Sequence, residues 1–353
     1  MDTKKSQRIA LNYMERGDKL KRKTQKFHHT WKAKKSDVFK LLCPTKEADW
    51  IPGWNADNTS IIYSKSGYAE DREVFKTSPE NVTGEGVWII TKFNPTSEIA
   101  LIKLMEDLIQ YIKITLVDNN DGTITGIWES THTALNERVN TIIEKMPDEN
   151  LHTHNLFQMI QNYLGNPNAI ESEKVLKKFK DRELKFERIN EIFSGVWKTD
   201  LDQLFPLFCP AREADWIPGW DCEILYSDEK GYASDKCVFK TKSSNPVGEG
   251  LWTFTCYEKN KNIEFVCFQE DIIHHDRIML NDNKDGTVTG IWDCTVTALT
   301  ENGNKKVNKW NNFLKQEAKI LPRMIDYYLK EGKTVDKLAL ALGRLHGLHT
   351  IHD

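Results

Sequence analysis

The 353-residue sequence has no strong excess of charge of either sign and no long uninterrupted apolar run. Its 49 Lys and Arg residues nearly balance its 52 Asp and Glu residues, for a formal net charge of -3. This balance argues against a dedicated nucleic-acid-binding protein, because such proteins carry a basic surface. The N-terminus leads into no apolar segment, and charged residues interrupt the most apolar stretch, residues 99–117. We therefore expect no export signal and no membrane-spanning segment.

Cysteine and glycine motifs of several common sites are also missing. The seven Cys residues contain no C-x-x-C pair, and their odd number is not typical of a disulfide framework. No Walker-type phosphate loop is present, and Gly84-x-Gly86 and Gly248-x-Gly250 lack the third glycine and the following helix of a dinucleotide-binding loop. The sequence thus predicts a protein of the reducing cytoplasm with no cofactor and no metal ion.

Aromatic residues are abundant, and their spacing shows that the sequence contains an internal repeat. Residues 47–54, EADWIPGW, recur without change as residues 213–220. Ten of the eleven Trp residues pair across the two copies, as Trp128 does with Trp292, and only Trp310 has no counterpart. A spacing of about 165 residues is long enough for a complete domain with its own core. The sequence therefore predicts a tandem duplication.

Within one copy, the pattern predicts a first strand, a short helix, about six further strands and a long helix. Short runs bounded by Gly, Asn, Asp or Pro are typical of antiparallel strands, and Asn120-Asp121-Gly122 indicates a tight hairpin turn. Residues 136–164 and 304–330 carry apolar residues at helical spacing. A curved antiparallel sheet with a long helix against its concave face is an α+β arrangement. An incompletely filled space between these layers would form an apolar pocket.

This order of elements, with the C-P-x-x-E-A-D-W-I-P-G-W segment after the short helix, resembles the START-like superfamily, also called SRPBCC or helix-grip domains. The superfamily includes lipid-transfer domains, polyketide cyclases and the Hsp90-activator-like group. The resemblance implies two tandem helix-grip domains, each a curved antiparallel sheet wrapped on a long C-terminal helix, with a ligand cavity between them. Its members share no catalytic set, so no active-site residue is carried over.

The repeat and the resemblance together predict the domain organisation. An N-terminal helical segment at 1–20 precedes a first START-like domain at 21–165. A linker helix at 166–182 leads to a second START-like domain at 183–331, and a C-terminal tail follows at 332–353. Within that tail, His346, His349 and His352 have a spacing that would place them on one helix face, but Gly343 and Gly347 weaken such a helix and favour a frayed tail.

Alternation along the strands predicts which side chains point into the space between sheet and helix. On the last strand of each copy, the face that carries Trp128 or Trp292 is the more apolar one and is expected to point inward. For each tryptophan, plain core packing is the alternative interpretation. The predicted ligand-binding residues are Trp54, Trp88, Ile90, Trp128, Ser130, His132, Trp220, Trp252, Phe254, Trp292 and Cys294.

His132 distinguishes the two copies, because Val296 occupies its place in the second. A polar ring on an inward face needs a hydrogen-bond partner, and Ser130 is two residues away on the same face. The pair could orient a polar ligand head, or the histidine could simply be satisfied within the core. Lys103 of the first copy likewise corresponds to Cys267 in the second copy, so the two pockets are not expected to be equivalent. No third group completes a nucleophilic triad, and no catalytic residue is predicted.

Two further groups of side chains have alternative interpretations. Glu47 with Asp49, and Glu213 with Asp215, could act as acid–base pairs, but carboxylates in loops more often cap backbone amides, which is the interpretation we favour. Residues 274–276, His-His-Asp, look like metal ligands. Neighbouring side chains on a strand point to opposite faces, so we do not predict a metal site there.

The leading hypothesis is a non-catalytic protein that binds a hydrophobic or aromatic small molecule between sheet and long helix. One alternative is a cyclase or dehydratase acting on a polyketide-like substrate, with Glu47, Asp49 or His132 transferring protons. Another is a protein-interaction module like the Hsp90-activator-like domains. No nucleic-acid partner is expected, and the sequence does not indicate a protein partner.

Overall fold

A computed structural model describes residues 4–16, 19–148, 151–166, 172–181 and 186–336. The described residues between positions 20 and 186 form one compact unit, the first domain. Those within 1–19 and 187–353 together form the second domain. The histidines predicted to lie in a frayed tail, at positions 346, 349 and 352, are outside the described residues. Within the described part of the chain, no helix is long and apolar enough to cross a membrane.

The first domain is built on one seven-stranded antiparallel sheet with the strand order β1-β7-β6-β5-β4-β3-β2. Asn120 and Gly122 have positive φ angles, of 60° and 84°, which allows the tight turn between β6 and β7. The elements are β1 (Arg22–Trp31), α2 (Lys35–Leu41), α3 (Pro44–Glu47), β2 (Thr59–Tyr63), β3 (Val74–Thr77), β4 (Gly86–Asn94), β5 (Glu98–Leu104), β6 (Leu108–Asp118), β7 (Ile124–Ala134), α4 (Glu137–Lys145), α5 (Leu151–Leu164) and α6 (Ser172–Asp181), preceded in the chain by α1 (Lys4–Arg16).

The second domain repeats this topology, with a seven-stranded sheet of order β8-β14-β13-β12-β11-β10-β9. Its elements are β8 (Arg188–Trp197), α7 (Leu201–Leu204), a 3-10 turn (Phe205–Phe208), α8 (Pro210–Trp216), β9 (Cys222–Tyr226), β10 (Val238–Thr241), β11 (Gly250–Glu258), β12 (Asn262–Phe268), β13 (Ile272–Asp282), β14 (Val288–Ala298) and α9 (Glu301–Glu331). The α9 helix packs on β8, β14 and β13. The predicted α+β fold of two tandem helix-grip domains is confirmed.

The helices differ from the prediction where proline changes the backbone. The helix predicted over 136–164 consists of α4 and α5, and Pro147 follows the end of α4. In the second domain, α9 continues through Pro322 as one helix. The second-domain helix that corresponds to α2 is interrupted. It consists of α7, which ends at Leu204, and a 3-10 turn that begins at Phe205, next to Pro206.

The terminal helix α1 packs on the second domain, against α8 and β9. Its Ile9 side chain is fully buried, and the Tyr13 hydroxyl donates a hydrogen bond of 2.8 Å to the Ser227 carbonyl oxygen. In the first domain, α6 packs against α3 and buries Phe179. The two helices reach equivalent glycines of the repeat: a Cβ on Gly231 would meet Ala10 of α1, and a Cβ on Gly67 would meet Lys180 of α6.

The repeated W-I-P-G-W turn is fixed by its two indoles in both copies. Trp50 and Trp54 donate to the carbonyl oxygens of Leu41 and Pro44, over 2.9 and 2.8 Å. Trp216 and Trp220 make the same bonds to Leu207 and Pro210. The glycine between each pair has a φ of 85°, which favours glycine. The turn is therefore clamped to the preceding short helix.

Replacing Gly303 by alanine is expected to change the free energy of unfolding in the direction opposite to the usual one. Gly→Ala inside a helix normally stabilises by about 1 kcal/mol, but Gly303 is buried and a Cβ there would overlap the Asp271 carbonyl oxygen. We expect G303A to lower the free energy of unfolding by about 2 kcal/mol, because rigid backbone must move. Chemical denaturation measures this, with the exposed Lys305→Ala as the control. A stabilised G303A protein would contradict the close packing of α9 on the β12–β13 hairpin.

Candidate ligand-binding site

The duplicated Asp residues tie the short helix to the long C-terminal helix. Asp49 accepts hydrogen bonds from Lys46 Nζ, at 3.5 Å, and from the Tyr163 hydroxyl, at 3.4 Å. In the second domain, Arg212 Nε donates to Asp215 over 2.6 Å, and Arg212 also bonds the Tyr328 hydroxyl. The predicted capping of loop amides by these aspartates is therefore wrong, because both carboxylates bond side chains of the short helix, and Asp49 also bonds one of the long helix.

A narrow cavity of about 90 Å³ lies between the sheet and α9 in the second domain. Its polar side chains are those of Glu213, His274, Asp276, Cys294 and Glu317, and the remaining lining is apolar. The aromatic part of the wall includes Trp216, Trp220, Trp252, Phe254, Trp292 and Trp310. All five ligand-binding residues predicted for the second copy line this cavity, namely Trp220, Trp252, Phe254, Trp292 and Cys294. Whether they touch a ligand stays a prediction.

The glutamates of the cavity come from two helices and hold their protons unusually tightly. Burial raises the pKa of Glu317 to about 8, and the charge of Asp276 adds to this effect. Burial, and then repulsion from Glu317, raises the pKa of Glu213 well above its ordinary value. Among the described residues, neither glutamate side chain forms a hydrogen bond or an ion pair. The predicted capping role is thus wrong for Glu213, which borders the cavity instead of loop amides.

His274 is the most deeply buried polar group in the cavity wall. Its side chain is 2% exposed, and burial lowers its pKa to about 3, so the ring stays neutral. The ring meets Trp310 edge-on, with centroids 4.1 Å apart, and Nε2 has no hydrogen-bond partner in the described part of the chain. His275 points to the opposite face, where Nε2 lies 3.8 Å from Glu264. In the described ranges, no three His, Cys, Asp or Glu side chains are grouped closely enough to hold a metal ion.

An open groove of about 820 Å³ adjoins the cavity. It runs between the β10–β11 loop, the β12–β13 turn and the first half of α9, and it carries Lys240, Lys306 and Lys309 on its rim. Trp310 and Val247 line both spaces. The Trp310 side chain therefore forms part of the partition between an aromatic interior and a wide, polar entrance.

The aromatic residues predicted as ligand contacts in the first copy are packed in the core. Trp88 stacks on Phe75 at 5.3 Å and meets Trp54 edge-on, while Trp128 meets Phe157. Phe239, Trp252 and Trp220 repeat the first of these clusters in the second domain. A role in binding for Trp54, Trp88, Ile90 and Trp128 stays a prediction, and the structure shows their packing role.

The polar residues predicted for the first copy have other partners than those expected. The Ser130 hydroxyl accepts a hydrogen bond from Gln110 over 3.0 Å, and not from His132. His132 is 8% exposed, its Nδ1 has no partner in the described ranges, and burial lowers its pKa to about 4. Lys103 is buried and donates to the Gly84 carbonyl oxygen over 3.0 Å, so it holds a loop. Ser130 and His132 are therefore not bonded to each other, and a role for either in ligand binding stays a prediction.

Sequence reasoning did not assign His274, Asp276, Trp310 or Glu317 to this site. Strand alternation contained a signal for Asp276, because residues 274, 276 and 278 share one face and all line the cavity. Trp310 was visible as the tryptophan without a counterpart. Nothing in the helical spacing distinguished Glu317 from a solvated glutamate, because its role depends on the cavity beneath it.

The chain was also compared with known proteins. No protein-family model and no curated protein matches it. Solved structures that resemble it include norcoclaurine synthase from Thalictrum flavum in complex with dopamine and hydroxybenzaldehyde, at 10% identity and a TM-score of 0.34, covering 44% of this chain and 90% of that one. The di-domain ARO/CYC StfQ from the steffimycin biosynthetic pathway is 11% identical with a TM-score of 0.36, covering 87% of this chain and 98% of that one.

A second di-domain ARO/CYC, BexL, is 9% identical with a TM-score of 0.33 and covers 86% of this chain. It is matched over 97% of its own length. The strand order within each half, and the long helix packed on the sheet of the second domain, are observed directly in this chain. On that topology, the described chain contains two tandem domains that each have a helix-grip fold.

Proposed function

We propose that the second domain binds a small, largely apolar or aromatic molecule, without catalysing a reaction, and holds its polar end in the cavity. The observation that carries this proposal is a continuous pair of spaces: a narrow aromatic cavity with polar groups at its wall, and a wide groove beside it. A volume of about 90 Å³ is below the usual range for a whole drug-sized ligand. The cavity therefore receives one end of the ligand, and the groove receives the rest.

Native mass spectrometry of the full chain purified from its own host tests this proposal. We expect one small molecule bound per chain. Val247→Trp should remove it, because Val247 lies where groove and cavity meet. Val82→Trp, at an exposed position of the first domain, is the control and should leave the bound molecule in place. Protein from the native host that carries no small molecule would contradict the proposal.

Acid–base catalysis in the same cavity is a second candidate function, and the proton held by Glu317 favours it. A carboxyl group with a pKa of about 8 is a competent proton donor near neutral pH. In a cyclase or dehydratase, Glu317 would then be the proton donor. Asp49 is less suited to this role because it is already bonded to Lys46 and Tyr163. If mass spectrometry shows the recovered molecule turning into a product on incubation with the protein, and E317Q stops the conversion, this candidate replaces simple binding.

A further inference from the structure

The charged side chains around the second-domain cavity are all acidic. Glu213 projects from α8, Asp276 from β13 and Glu317 from α9, whereas no Lys or Arg is among the residues that line the cavity. The first copy keeps only one of these acids, Glu47. Ile112 stands where the second copy has Asp276. His152 corresponds to Glu317, since the Trp31 and Trp197 indoles bond the equivalent carbonyl oxygens at residues 157 and 322. The excess of acid is thus specific to the second domain.

Burying carboxyl groups without a cation is energetically unfavourable, by several kcal/mol for each ionised group. Burial, and in addition the charges of these carboxyls, raise the pKa of the nearby thiols of Cys209, Cys222, Cys267 and Cys294, and the neutral ring of His274 lies in the same wall. None of them supplies positive charge. Arg212 is the neighbour of Glu213 on α8, but its guanidinium donates hydrogen bonds to Asp215 and Tyr328. No Lys or Arg therefore lines the cavity, and the carboxyls of Glu213 and Glu317 have no cation beside them among the described residues.

His274 gives an independent indication that a ligand belongs here. The ring is 98% buried and lines the cavity, and its Nε2 has no hydrogen-bond partner among the described residues. A buried nitrogen of this kind is normally satisfied by protein or by a bound molecule. In the neutral ring one nitrogen is an acceptor, which suits a ligand that brings N–H donors.

Resting on the proposed function, we propose that the second-domain cavity selects molecules with a positively charged amine head. The carboxyls of Glu213 and Glu317, which lie close enough to repel each other, would bind the ammonium group. The rings of Trp252, Trp292 and Trp310 form part of the wall around it and add cation–π attraction. A space of 90 Å³ holds about six water-sized groups, enough for an aminomethyl or aminoethyl head. The body of the molecule would pass Trp310 into the groove.

A metal ion fits this wall less well than an organic cation. Within the described ranges, no three potential ligand side chains converge as a metal requires. Most of the lining is aromatic or aliphatic, which is unusual around a hydrated divalent ion. An ammonium group, by contrast, is recognised by carboxylates and aromatic faces together.

Three probes that differ only in their polar group test the inference on the full chain: benzylamine, benzyl alcohol and phenylacetate. Calorimetry at pH 6 and pH 8 should show benzylamine binding about tenfold or more tightly than benzyl alcohol, since charge-assisted bonds are the stronger ones. Benzylamine should bind more tightly at pH 8, with protons released to the buffer, because the glutamates ionise when the cation enters. Phenylacetate should not bind.

Matched variants separate this inference from general effects on the fold. E213Q and E317Q should each weaken benzylamine binding about tenfold or more and reduce the proton release, because each variant removes one of the two glutamates that ionise. E47Q, the same change at the equivalent position of the first domain, should leave both unchanged. Thermal unfolding confirms that each variant is folded before it is titrated.

Other outcomes have distinct meanings. Tighter binding of benzyl alcohol or phenylacetate would overturn the amine head while leaving the proposed function intact. Zn²⁺, Ca²⁺ or Mg²⁺ alone binding more tightly than benzylamine would also overturn it, in favour of a metal site. If none of the probes binds, the inference is wrong, and native mass spectrometry still decides the proposed function independently.

Discussion

Glu317→Gln is expected to stabilise the second domain at pH 8 by on the order of 3 kcal/mol and to have little effect at pH 4. The pKa of Glu317 rises from an ordinary 4.5 to about 8 in the folded protein. Between these values the folded state keeps a proton that the unfolded state has lost, so stability falls as the pH rises. The shift corresponds to at most about 5 kcal/mol, and partial solvation through the cavity reduces that value. Glutamine resembles the protonated carboxyl group, so the variant should not lose stability in this way as the pH rises.

Denaturant unfolding at several pH values measures this effect. The unmodified protein should lose stability from pH 5 to pH 8, and E317Q should show a shallower slope. Glu331→Gln, at the exposed end of the same helix, is the control and should change the free energy of unfolding by less than about 0.5 kcal/mol. If E317Q is less stable than the unmodified protein at pH 8, a positive charge already accompanies this carboxylate in the ligand-free protein.

The sheets could be predicted from the sequence because their signals are local. Alternating apolar residues mark the strands, and the tight turns at Gly122 and Gly286 mark the hairpins between them. Because the sequence contains two copies, the pattern of each strand and helix could be compared between them. The W-I-P-G-W turn is also local, because Gly53 has a φ of 85° and both indoles bond carbonyl oxygens of the short helices just before it.

The site was harder to predict because its residues become related only through packing. Glu213 and Glu47 are identical in sequence context, but only Glu213 has Glu317 beside it. One strand substitution and one helix substitution, more than forty residues apart, create the acidic cavity. Pattern reasoning treats each position separately and so assigned Glu213 to a loop cap. The unmatched Trp310 was noticed as an exception, but its place between two spaces depends on the course of α9.

The terminal helix α1 presented a different difficulty. Its sequence, KKSQRIALNYMER, predicts an amphipathic helix but does not tell which surface it covers. In the fold it covers α8 and β9 of the second domain, although the first domain follows it directly in the chain. The corresponding place on the first domain is taken by α6. Equivalent glycines, Gly231 and Gly67, accommodate the two helices, because side chains there would meet Ala10 and Lys180.

Ile9→Ala is therefore expected to destabilise the second domain by about 3 kcal/mol, as is usual for a fully buried isoleucine. Ile9 has no exposed surface, whereas Leu11 on the same helix is 53% exposed. Leu11→Ala is the matched control and should cost less than about 0.5 kcal/mol. Hydrogen exchange locates the effect: I9A should accelerate exchange in β9, residues 222–226, and leave the equivalent strand β2, residues 59–63, protected.

Phe179→Ala makes the converse test on α6. Because Phe179 is buried in the core cluster of the first domain, its loss should cost about 3 kcal/mol and accelerate exchange in that domain alone. Each variant is then the control for the other, since both remove one apolar anchor from a peripheral helix. If I9A loosens β2, or if neither variant affects the domain on which its helix packs, the assignment of α1 to the second domain is wrong. A selective loss in each case would show that residues 1–19 must be retained whenever the second domain is produced alone.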